Sequence, residues 1–434
     1  MTTKGDEAWN KVFQSLNLLN TIESEGFVQI SATTLKEIGQ REPRLMAKQD
    51  TLNSRPEIFK RQHLSILPIK NGEYIIYRDN KGQSYFKYDS SFYGIPIEIY
   101  DPCPDSEILE SLSIGSISSE FQAIDYANLV SLLKTFTNES QLYLTIRGKL
   151  RSGNFNLHLP DNDKQIEVDG VQIEVDSGYE GNNGIYLIEA KIGKRDDFHI
   201  RQLYYPWKDW SQKTDKPIIP IFFVYSNGIF YLTKFRFGKD FGDLQILESR
   251  SFSIDEDPVL SVNFEELMDS IVVDTSESES VPFPQANDLD KIIDIITSFS
   301  EDLKTKEQIS EYFEFDERQG DYYANAAIYL GLLSRDTDNY GSFALTDLGK
   351  AMKRCSNRRC RNRQLLTQLL KRSSFRSTIL LVKRLGFNPT NIDLDDVARI
   401  IRDNSPRYNH TTSRRRASTV KSWMKWICEN IRFE

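Results

Sequence analysis

An unbroken apolar run in "KPIIPIFFVYS", residues 216–226, is the feature that most constrains how this 434-residue chain can fold. The dipeptide Asn227–Gly228 follows it and leads into a second apolar stretch, "IFYLTKFRF". A run of strand length without polar alternation is typical of a strand covered on both faces, and Asn-Gly is typical of a tight hairpin turn. The sequence therefore predicts a sheet whose central strand is buried.

Other segments before this strand have the patterns of strands and helices. Five more strands are indicated by "LYLTIRGKL", "NFNLHL", "KQIEV", "VQIEVD" and "GIYLIEAKI". A helix is predicted over 118–136, with Ser118 or Ser119 as its cap and with apolar residues at helical spacing: Phe121, Ile124, Leu129, Leu132 and Leu133. A second helix is predicted around 196–212, opened by Asp196 and Asp197. Strands with helices on their flanks predict an α/β (α+β) core over 116–271.

The N-terminal region, residues 1–115, is expected to have an α+β structure of its own. A helix is predicted over 8–22, and "GFVQISATTLKEIG" reads as a strand, a Ser/Thr cap and a short helix. A β-meander is predicted after His63, with turns at Lys70–Gly72 and at Asn80–Gly82. Whether this region binds DNA, forms a dimer or only supports the core stays open.

The sequence changes character after residue 271. Residues 272–287 have the Ser, Glu and Pro content of a linker. Residues 288–360 then predict three helices, a hairpin with Asn339–Tyr340–Gly341 at its tip, and a closing helix, which is the order of a winged helix-turn-helix. Residues 361–434 predict a basic helical segment in which "DLDDVARIIRDN" and "SRRRASTVKSWMKWICENI" resemble a second helix-turn-helix.

The charge is distributed unevenly along the chain. Residues 350–434 contain 6 Lys and 15 Arg against 4 Asp and 2 Glu, a formal charge of +15, so residues 1–349 carry −23 of the total of −8. A basic segment on an acidic body suggests a polyanionic partner, most simply nucleic acid. The alternative is a basic face that is merely solvated.

Cysteine content and hydropathy favour a cytoplasmic protein. The four cysteines, Cys103, Cys355, Cys360 and Cys428, indicate a reducing compartment rather than a disulfide scaffold. Cys355 and Cys360 have no second Cys or His pair nearby at zinc spacing. No apolar run approaches the ~20 residues of a membrane span, and the N-terminus lacks the apolar region of a secretory signal. We therefore expect no membrane association.

Charged residues interrupt a predicted hairpin, "QIEVDSGYEGNNGIYLIEAKIG", residues 172–193. Asp176 is expected to end its first strand, and Glu189 and Lys191 project from one face of the second because strand side chains alternate. If the strands are antiparallel neighbours, Asp176 can lie beside Glu189. Two such carboxylates suit Mg²⁺, and a lysine beside them can hold a water and offset phosphate charge. The alternative is a cross-strand salt bridge on an exposed face.

The pattern D176-x12-E189-A-K191 within strand–turn–strand resembles the active site of the PD-(D/E)xK nuclease superfamily, which has a restriction-endonuclease-like fold. The resemblance covers about residues 116–250. It implies that Asp176 and Glu189 bind Mg²⁺ and that Lys191 orients the attacking water. Val175 stands where the superfamily often has Pro.

The same resemblance suggests two further catalytic residues. It implies that Glu120 is a metal ligand or lies beside the ligands, and that Gln202, on the helix with Arg201 and Tyr205, supports the site. Glu174 and Glu180 are taken as bystanders, although either could join the site if the register shifts by two residues.

Two helices are candidates for reading DNA. In the winged-helix-like segment the residues that could reach a DNA groove are Arg318, Gln319, Tyr322 and Asn325. In the last segment they are Arg414, Arg415, Arg416 and Lys421, with Ser413 expected to cap the helix. The basic stretch 353–363, "KRCSNRRCRNR", is expected to hold phosphates. Trp423 and Trp426 are expected in the core rather than as stacking platforms.

The sequence as a whole therefore suggests a Mg²⁺-dependent, site-specific endonuclease acting on double-stranded DNA, similar to a bacterial Type II restriction endonuclease. Walker A and Rossmann glycine patterns are missing from the sequence, so no nucleotide cofactor is expected. A homodimer is expected by analogy, because cutting both strands usually takes two active sites. Two alternatives stay open: a repair, structure-specific or modification-dependent nuclease, and a DNA-binding regulator without catalysis.

Overall fold

The computed structural model describes residues 3–88, 92–102, 109–159, 164–238, 240–274, 281–314 and 316–434. Over these residues the chain has a mixed α/β structure with several sheets, which confirms the expected class. None of the helices in this described part has the length and apolarity that a membrane span requires.

The described residues of the N-terminal region form five α-helices and five strands. The helices are α1 (Lys4–Leu16), α2 (Leu18–Glu25), α3 (Ala32–Gly39), α4 (Pro43–Ala47) and α5 (Glu57–Arg61). The strands are β1 (Phe27–Ser31), β2 (Leu64–Lys70), β3 (Glu73–Arg78), β4 (Tyr85–Lys87) and β5 (Ile97–Ile99). The predicted strand–cap–helix is present, because Ser31 accepts a hydrogen bond from the N–H of Thr34 at the start of α3. The predicted helix over 8–22 is wrong, since α1 and α2 meet at Asn17, whose φ is 50°.

The core region follows, and its described part has ten strands and four α-helices. Its strands are β6 (Tyr143–Arg151), β7 (Asn154–His158), β8 (Gln165–Asp169), β9 (Gln172–Glu180), β10 (Ile185–Ile192), β11 (Asp197–His199), β12 (Ile218–Ser226), β13 (Ile229–Phe237), β14 (Leu244–Ser253) and β15 (Leu260–Val262). Its helices are α6 (Glu120–Leu129), α7 (Leu132–Thr137), α8 (Arg201–Trp210) and α9 (Phe264–Ser270).

The C-terminal region is mostly helical. Its helices are α10 (Leu289–Ser298), α11 (Lys306–Tyr312), α12 (Glu317–Tyr329), α13 (Asp347–Lys353), α14 (Arg358–Leu370), α15 (Ser373–Arg384), α16 (Leu394–Asn404) and α17 (His410–Asn430). Its strands are β16 (Leu333–Arg335), β17 (Phe343–Leu345) and β18 (Ile431–Phe433). The predicted order of three helices, a hairpin and a closing helix is present in α10 to α13.

A seven-stranded sheet in the order β5-β14-β13-β12-β10-β9-β6 forms the centre of the molecule. The predicted apolar strand is β12, and Ile221, Phe222 and Phe223 are at most 1% exposed. It pairs antiparallel with β13 across Asn227–Gly228 and parallel with β10. Parallel pairing needs a crossover, which β11 and α8 supply. Both expectations for this segment, burial and the tight hairpin, are confirmed.

A second sheet, in the order β1-β3-β2-β8-β7, combines strands of the N-terminal and core regions. β2 and β3 form the predicted hairpin, but β4 leaves the meander and pairs antiparallel with β11. This pairing also corrects the predicted helix around 196–212. Because Asp197–His199 are held as a strand against β4, α8 begins only at Arg201.

The predicted helix over 118–136 is also wrong, because it is two helices. Ser119 caps α6 by accepting from the N–H of Gln122, as one of the two predictions had it. Ser131 then adopts a φ of 66° and separates α6 from α7. Phe121 and Leu129, two of the apolar residues at helical spacing, are 45% and 38% exposed.

One hydrophobic core joins the central sheet to the C-terminal helices. Phe283, from the end of the predicted linker, stacks on Phe375, which in turn stacks on Trp423 with ring centroids 5.0 Å apart. Trp423 and Trp426 are buried, which confirms their placement in the core. Residues 275–280 of the predicted linker lie outside the described residues.

Cys355 and Cys360 form a disulfide, which corrects the expectation of reduced cysteines for this pair. Cys355 follows α13 and Cys360 lies in the first turn of α14, five residues later, so the bond links nearby residues rather than building a scaffold. Cys428 is a free thiol, and Cys103 lies outside the described residues.

Candidate functional site

The β9–β10 hairpin brings the predicted acidic residues together. The two strands pair antiparallel, with Ser177 opposite Ile188, so Asp176 comes next to Glu189 in the register. The expected strand pairing is therefore confirmed. Asp176 does not end its strand, however, because β9 continues to Glu180 before the turn.

Short hydrogen bonds fix the two carboxylates and the lysine. Asp176 Oδ2 accepts from the backbone N–H of Ala190 at 2.7 Å. Glu189 Oε1 accepts from Lys191 Nζ at 2.7 Å and from Gln202 Nε2, on α8, at 2.8 Å. Four of the residues predicted from the sequence therefore meet at one place: Asp176, Glu189, Lys191 and Gln202.

This group lies in the interior of the protein. Asp176, Glu189 and Lys191 are 8%, 9% and 6% exposed. Lys191 does form a salt bridge, but its partner Glu189 is on the same strand and both are buried, so the alternative of a cross-strand salt bridge on an exposed face is wrong on both points. Because charge is costly to bury, a cluster of this kind needs compensating partners.

Burial shifts the pKa values within the cluster. Burial raises the pKa of Glu189 well above its usual range, and the Lys191 ammonium offsets only part of this effect. Burial also raises the pKa of Asp176. Burial alone would lower the pKa of Lys191, but Glu189 and Glu314 outweigh it and raise that pKa. The carboxylates thus favour a bound proton or cation, and the lysine stays charged.

Glu120 approaches the cluster from the first turn of α6. Burial raises its pKa to about 7, and the charge of Asp176 acts in the same direction. Lys191 and Arg195 act in the opposite direction. These interactions place Glu120 beside the predicted acids.

Two charged residues that sequence reasoning missed complete the cluster. Glu314, from the turn after α11, lies 3.4 Å from Lys191 Nζ and 3.5 Å from Arg195 Nε. Arg195 is 3% exposed and donates to the carbonyl oxygens of Ile192 and Gly193. Glu314 comes from a distant segment without a local pattern, so no signal in the sequence marked it.

The neighbours of the predicted site residues have structural roles. Arg201 pairs with Asp50, and the Tyr205 hydroxyl donates to the carbonyl of Pro68, so both bind the N-terminal region. Glu180 pairs with Lys216 at the end of the hairpin. Glu174 is exposed.

Asp176 and Glu189 are the carboxylates of the cluster that could hold a Mg²⁺ ion. Within the described ranges, no three His, Cys, Asp or Glu side chains are arranged to hold a metal ion between them. Mg²⁺ does not need such a cage, since it commonly binds one or two carboxylates, waters and substrate phosphate. Asp176 and Glu189 use one oxygen each in the hydrogen bonds described above, and both are carboxylates of the preferred kind.

The predicted reader residues on α12 differ in accessibility. Arg318 is exposed in its first turn, and Gln319 and Tyr322 are half-buried. Asn325 is 9% exposed and accepts a hydrogen bond from Arg335, so it supports the hairpin rather than facing a groove.

The last helix begins earlier than expected. α17 starts at His410, and Asn409 caps it by accepting from the N–H of Thr412. Ser413 is therefore not the cap, and it is fully buried. Arg414 and its two basic neighbours consequently lie beyond the first residues of the helix.

The four basic residues of α17 have different partners. Arg414 pairs with Asp395, and Lys421 donates to the carbonyls of Thr390 and Ile392. Arg416 is 7% exposed, whereas Arg415 is exposed. Of this group, Arg415 is the one best placed for an external phosphate.

The basic residues of the stretch 353–363 also differ in exposure and in their partners. Arg358 and Arg361 are buried and hydrogen-bond to Asn227 at the β12–β13 turn, which corrects the expectation that they hold phosphates. Arg354, Arg359 and Arg363 are exposed.

Three family models match the chain, and each is described as a domain of unknown function. They are DUF6996 over residues 6–76, DUF6997 over residues 85–253 and DUF7226 over residues 291–432. No curated protein and no solved structure matches the chain. The residues of the predicted D…ExK pattern all fall within the second match, whereas Glu314 falls within the third.

Proposed function

We propose that this chain is a Mg²⁺-dependent endonuclease that hydrolyses phosphodiester bonds in double-stranded DNA. In this proposal, residues 116–271 form a restriction-endonuclease-like core and Asp176, Glu189 and Lys191 form its active site. The supporting observation is that these three residues meet in a buried cluster on paired strands, with Gln202 donating to Glu189.

The charge of the cluster supports a cation as its missing component. Four carboxylates, those of Glu120, Asp176, Glu189 and Glu314, face two cations, Lys191 and Arg195. A divalent cation held by Asp176 and Glu189, with Glu120 beside them, would offset this excess. When bound, Mg²⁺ would activate a water and stabilise the charge that develops on phosphorus.

The protein's own residues have separate roles in the proposed reaction. Lys191 would place its ammonium beside the attacking water and a phosphate oxygen. Gln202 and Lys191 both donate to Oε1 of Glu189, and the N–H of Ala190 donates to Asp176. These contacts fix both carboxylates before substrate arrives, and such preorganisation lowers the cost of reaching the transition state.

The C-terminal region would bind the DNA. α10 to α13 would act as a winged helix-turn-helix, with Arg318 and Gln319 at the exposed start of α12 reaching base edges. Arg415 and the exposed arginines of 353–363 would bind phosphates. The analogy in fold favours a site-specific Type II enzyme that acts as a homodimer.

The test is incubation of the purified protein with unmethylated phage DNA in Mg²⁺ and in EDTA. We expect discrete fragments in Mg²⁺, and a loss of activity of about 100-fold or more in Lys191→Ala, because Lys191 would act on the reacting groups. Lys216→Ala is the matched control, since Lys216 pairs with Glu180 at the other end of the hairpin.

Each result has a distinct meaning if all proteins give the same circular dichroism spectrum. Discrete fragments that need both Mg²⁺ and Lys191 would support a site-specific endonuclease. A Mg²⁺-dependent smear would instead indicate a nonspecific or structure-directed nuclease. Intact DNA in every lane would reject the simple Type II proposal, and a gel shift would then show whether the protein only binds DNA.

A further inference from the structure

Glu314 is held in an unusual backbone conformation between α11 and α12. Its φ is 56°, in the left-handed region that residues other than Gly, Asn and Asp rarely adopt. The hydroxyl of Thr51, from the N-terminal region, donates to its carbonyl at 3.1 Å. Such a conformation persists where the surroundings enforce it, and it is typical of functional segments.

The side chain of Glu314 extends from this turn into the core cluster. One carboxylate oxygen lies 3.4 Å from Lys191 Nζ, and the other lies 3.5 Å from Arg195. Its side chain is 9% exposed, and Oε2 has no hydrogen-bond partner among the described residues. Burial alone would raise the pKa of Glu314, but Lys191 and Arg195 outweigh it and lower that pKa. Glu314 is thus an anion that depends on the charge of Lys191.

The turn packs directly on the end of β10. A Cβ atom added at Gly193 would lie 3.0 Å from the ring of Phe313, so this glycine permits the close approach. Arg195 also lies over the Phe313 ring. The position of Glu314 is therefore set by the contact between the α11–α12 turn and the strand that carries Glu189 and Lys191.

α11 and α12 also contact each other closely. A Cβ atom at Gly320, on α12, would lie 2.1 Å from the hydroxyl oxygen of Ser310 and 2.5 Å from the carbonyl of Lys306. Because the two helices pack this tightly, a shift of α12 moves α11 and the turn between them. Arg318 and Gln319, which are proposed to contact DNA, lie on the first turn of α12.

A cavity of about 320 Å³ beside Glu314 gives its side chain a place to move. The residues that line it include Arg41 and Lys48 from the N-terminal region and Glu307 and Glu311 from α11. Lys48 already acts on the carboxyl group of Glu314 electrostatically. The cavity therefore offers space and two cations, Arg41 and Lys48, to a carboxylate that has left Lys191, and the acids Asp50, Glu307 and Glu311 also line it.

A carboxylate and a phosphate oxygen compete for the same ammonium. Lys191 already pairs with Glu189 and Glu314, in a cluster with more acids than bases. A DNA phosphate entering with Glu314 in place would be the third anion beside Lys191, after Glu189 and Glu314, which is strongly unfavourable in a buried site.

We propose that Glu314 is a specificity-determining residue, which occupies Lys191 until α12 engages DNA and moves the turn that carries Glu314. This inference rests on the proposed nuclease function and adds a coupling between recognition and cleavage. Correct DNA contact by α12 would draw Glu314 toward the cavity and leave Lys191 for the phosphate. Incorrect DNA would leave the pair intact.

The first experiment compares cleavage of phage DNA by the wild type and three variants. Glu314→Gln removes the charge, and Glu314→Gly also suits the positive φ and so preserves the turn. Glu311→Gln is the matched control, since Glu311 is exposed on α11 and lines the same cavity. We expect both Glu314 variants to cleave additional sites about tenfold faster than the wild type, the effect of losing one interaction of ordinary strength.

The second experiment measures hydrogen exchange in EDTA, so it does not depend on cleavage. In the wild type and in Glu311→Gln, adding DNA should increase exchange in peptides that cover α11 and Glu314. In Glu314→Gln, exchange there should already be high, and DNA should add little. No change on adding DNA to the wild type would overturn the coupling.

The two experiments separate the inference from the proposed function. Wild-type fragments with unchanged specificity in both Glu314 variants would overturn the inference and leave the nuclease proposal standing. Loss of cleavage in both variants would also overturn it, and would make Glu314 a residue that the reaction needs. Intact DNA with the wild type and both variants would reject the nuclease proposal and the specificity role with it. Cleavage by the Glu314 variants alone would support both.

Discussion

Among single residues, Asp294 on α10 has a buried carboxyl group whose protonation matters for stability. It accepts from the hydroxyl of Ser226 at 2.6 Å and from the N–H of Asn227 at 2.9 Å. Burial raises its pKa from an ordinary 3.8 to about 7, and the neighbouring Asp290 acts in the same direction. The folded protein therefore keeps a proton that the unfolded chain releases.

This difference predicts a loss of stability as pH rises. Between about pH 4 and pH 7 the folded state binds more protons, so the free energy of unfolding falls with increasing pH. The free energy of unfolding of the wild type should decrease between pH 5 and pH 8. We expect this decrease to be about 1 to 3 kcal/mol smaller in Asp294→Asn. Urea denaturation at both pH values measures it, with the exposed Asp403→Asn as control. Parallel pH profiles for wild type and Asp294→Asn would contradict the assignment.

The residues of the candidate site were predictable to different degrees. Asp176, Glu189 and Lys191 were found because they lie close in sequence on strands, where alternation fixes which side chains share a face. Arg195 and Glu314 were missed, since their proximity depends on how a distant helix pair packs on β10. Ser413 was misassigned because Asn409 offers an equally good cap one turn earlier.

At the scale of elements, Glu139 ties the end of α7 to the β9–β10 turn. Its carboxylate accepts from the N–H groups of Asn182 and Asn183 at 3.1 and 2.8 Å, and from the hydroxyl of Tyr186 at 3.0 Å. The hairpin that carries the candidate site is therefore anchored at its turn.

Removing this anchor should destabilise the hairpin. We expect Glu139→Ala to lower the free energy of unfolding by about 1 to 2 kcal/mol, because three donors lose their acceptor. Glu139→Gln keeps one carbonyl oxygen and should lose less. Chemical denaturation measures both, and hydrogen exchange should rise in β9 and β10 of Glu139→Ala. An unchanged exchange rate there would show that strand pairing alone holds the register.

Strands were predicted better than helix boundaries. β9, β10, β12 and β13 have strong local patterns, and the tertiary structure agrees with them. Asp197–His199 form a strand only because β4 is present to pair with them. The break between α6 and α7 is a single residue, Ser131, in the left-handed region. The helical spacing of apolar residues continues across Ser131, so this pattern did not predict the break. Long-range contacts override local preference in both cases.

At the scale of the whole molecule, the C-terminal helices share their core with the central sheet. Trp423 is fully buried, donates from Nε1 to the carbonyl of Ala286 at 2.7 Å and stacks on Phe375. The two regions are therefore expected to unfold together rather than as independent domains.

Trp423→Ala tests this shared stability. We expect a loss of about 3 to 5 kcal/mol, the usual cost of truncating a large buried side chain. Hydrogen exchange at increasing urea should show β12 and α12 destabilised together, whereas Lys425→Ala, exposed on the same helix, should change neither. Destabilisation of α12 alone would indicate two independent domains.

The division of the molecule was the hardest feature to predict from sequence. The composition of 272–287 is that of a linker, but composition does not report how the flanking segments pack. Phe283 shows the difference, because it is buried between Tyr329 and Phe375. The mixed α/β class was predictable because it follows from local patterns.

Two parallel strand pairs have a consequence for biosynthesis. β5 pairs with β14, and β15 pairs with β18, so each pair joins segments that the ribosome makes far apart in time. Closing such long loops costs entropy before the contacts repay it, which slows folding. The nascent chain should therefore hold β5 unpaired until β14 is made, and β15 unpaired until β18 emerges at the end of translation. Slower synthesis at low temperature should then raise the yield of native protein.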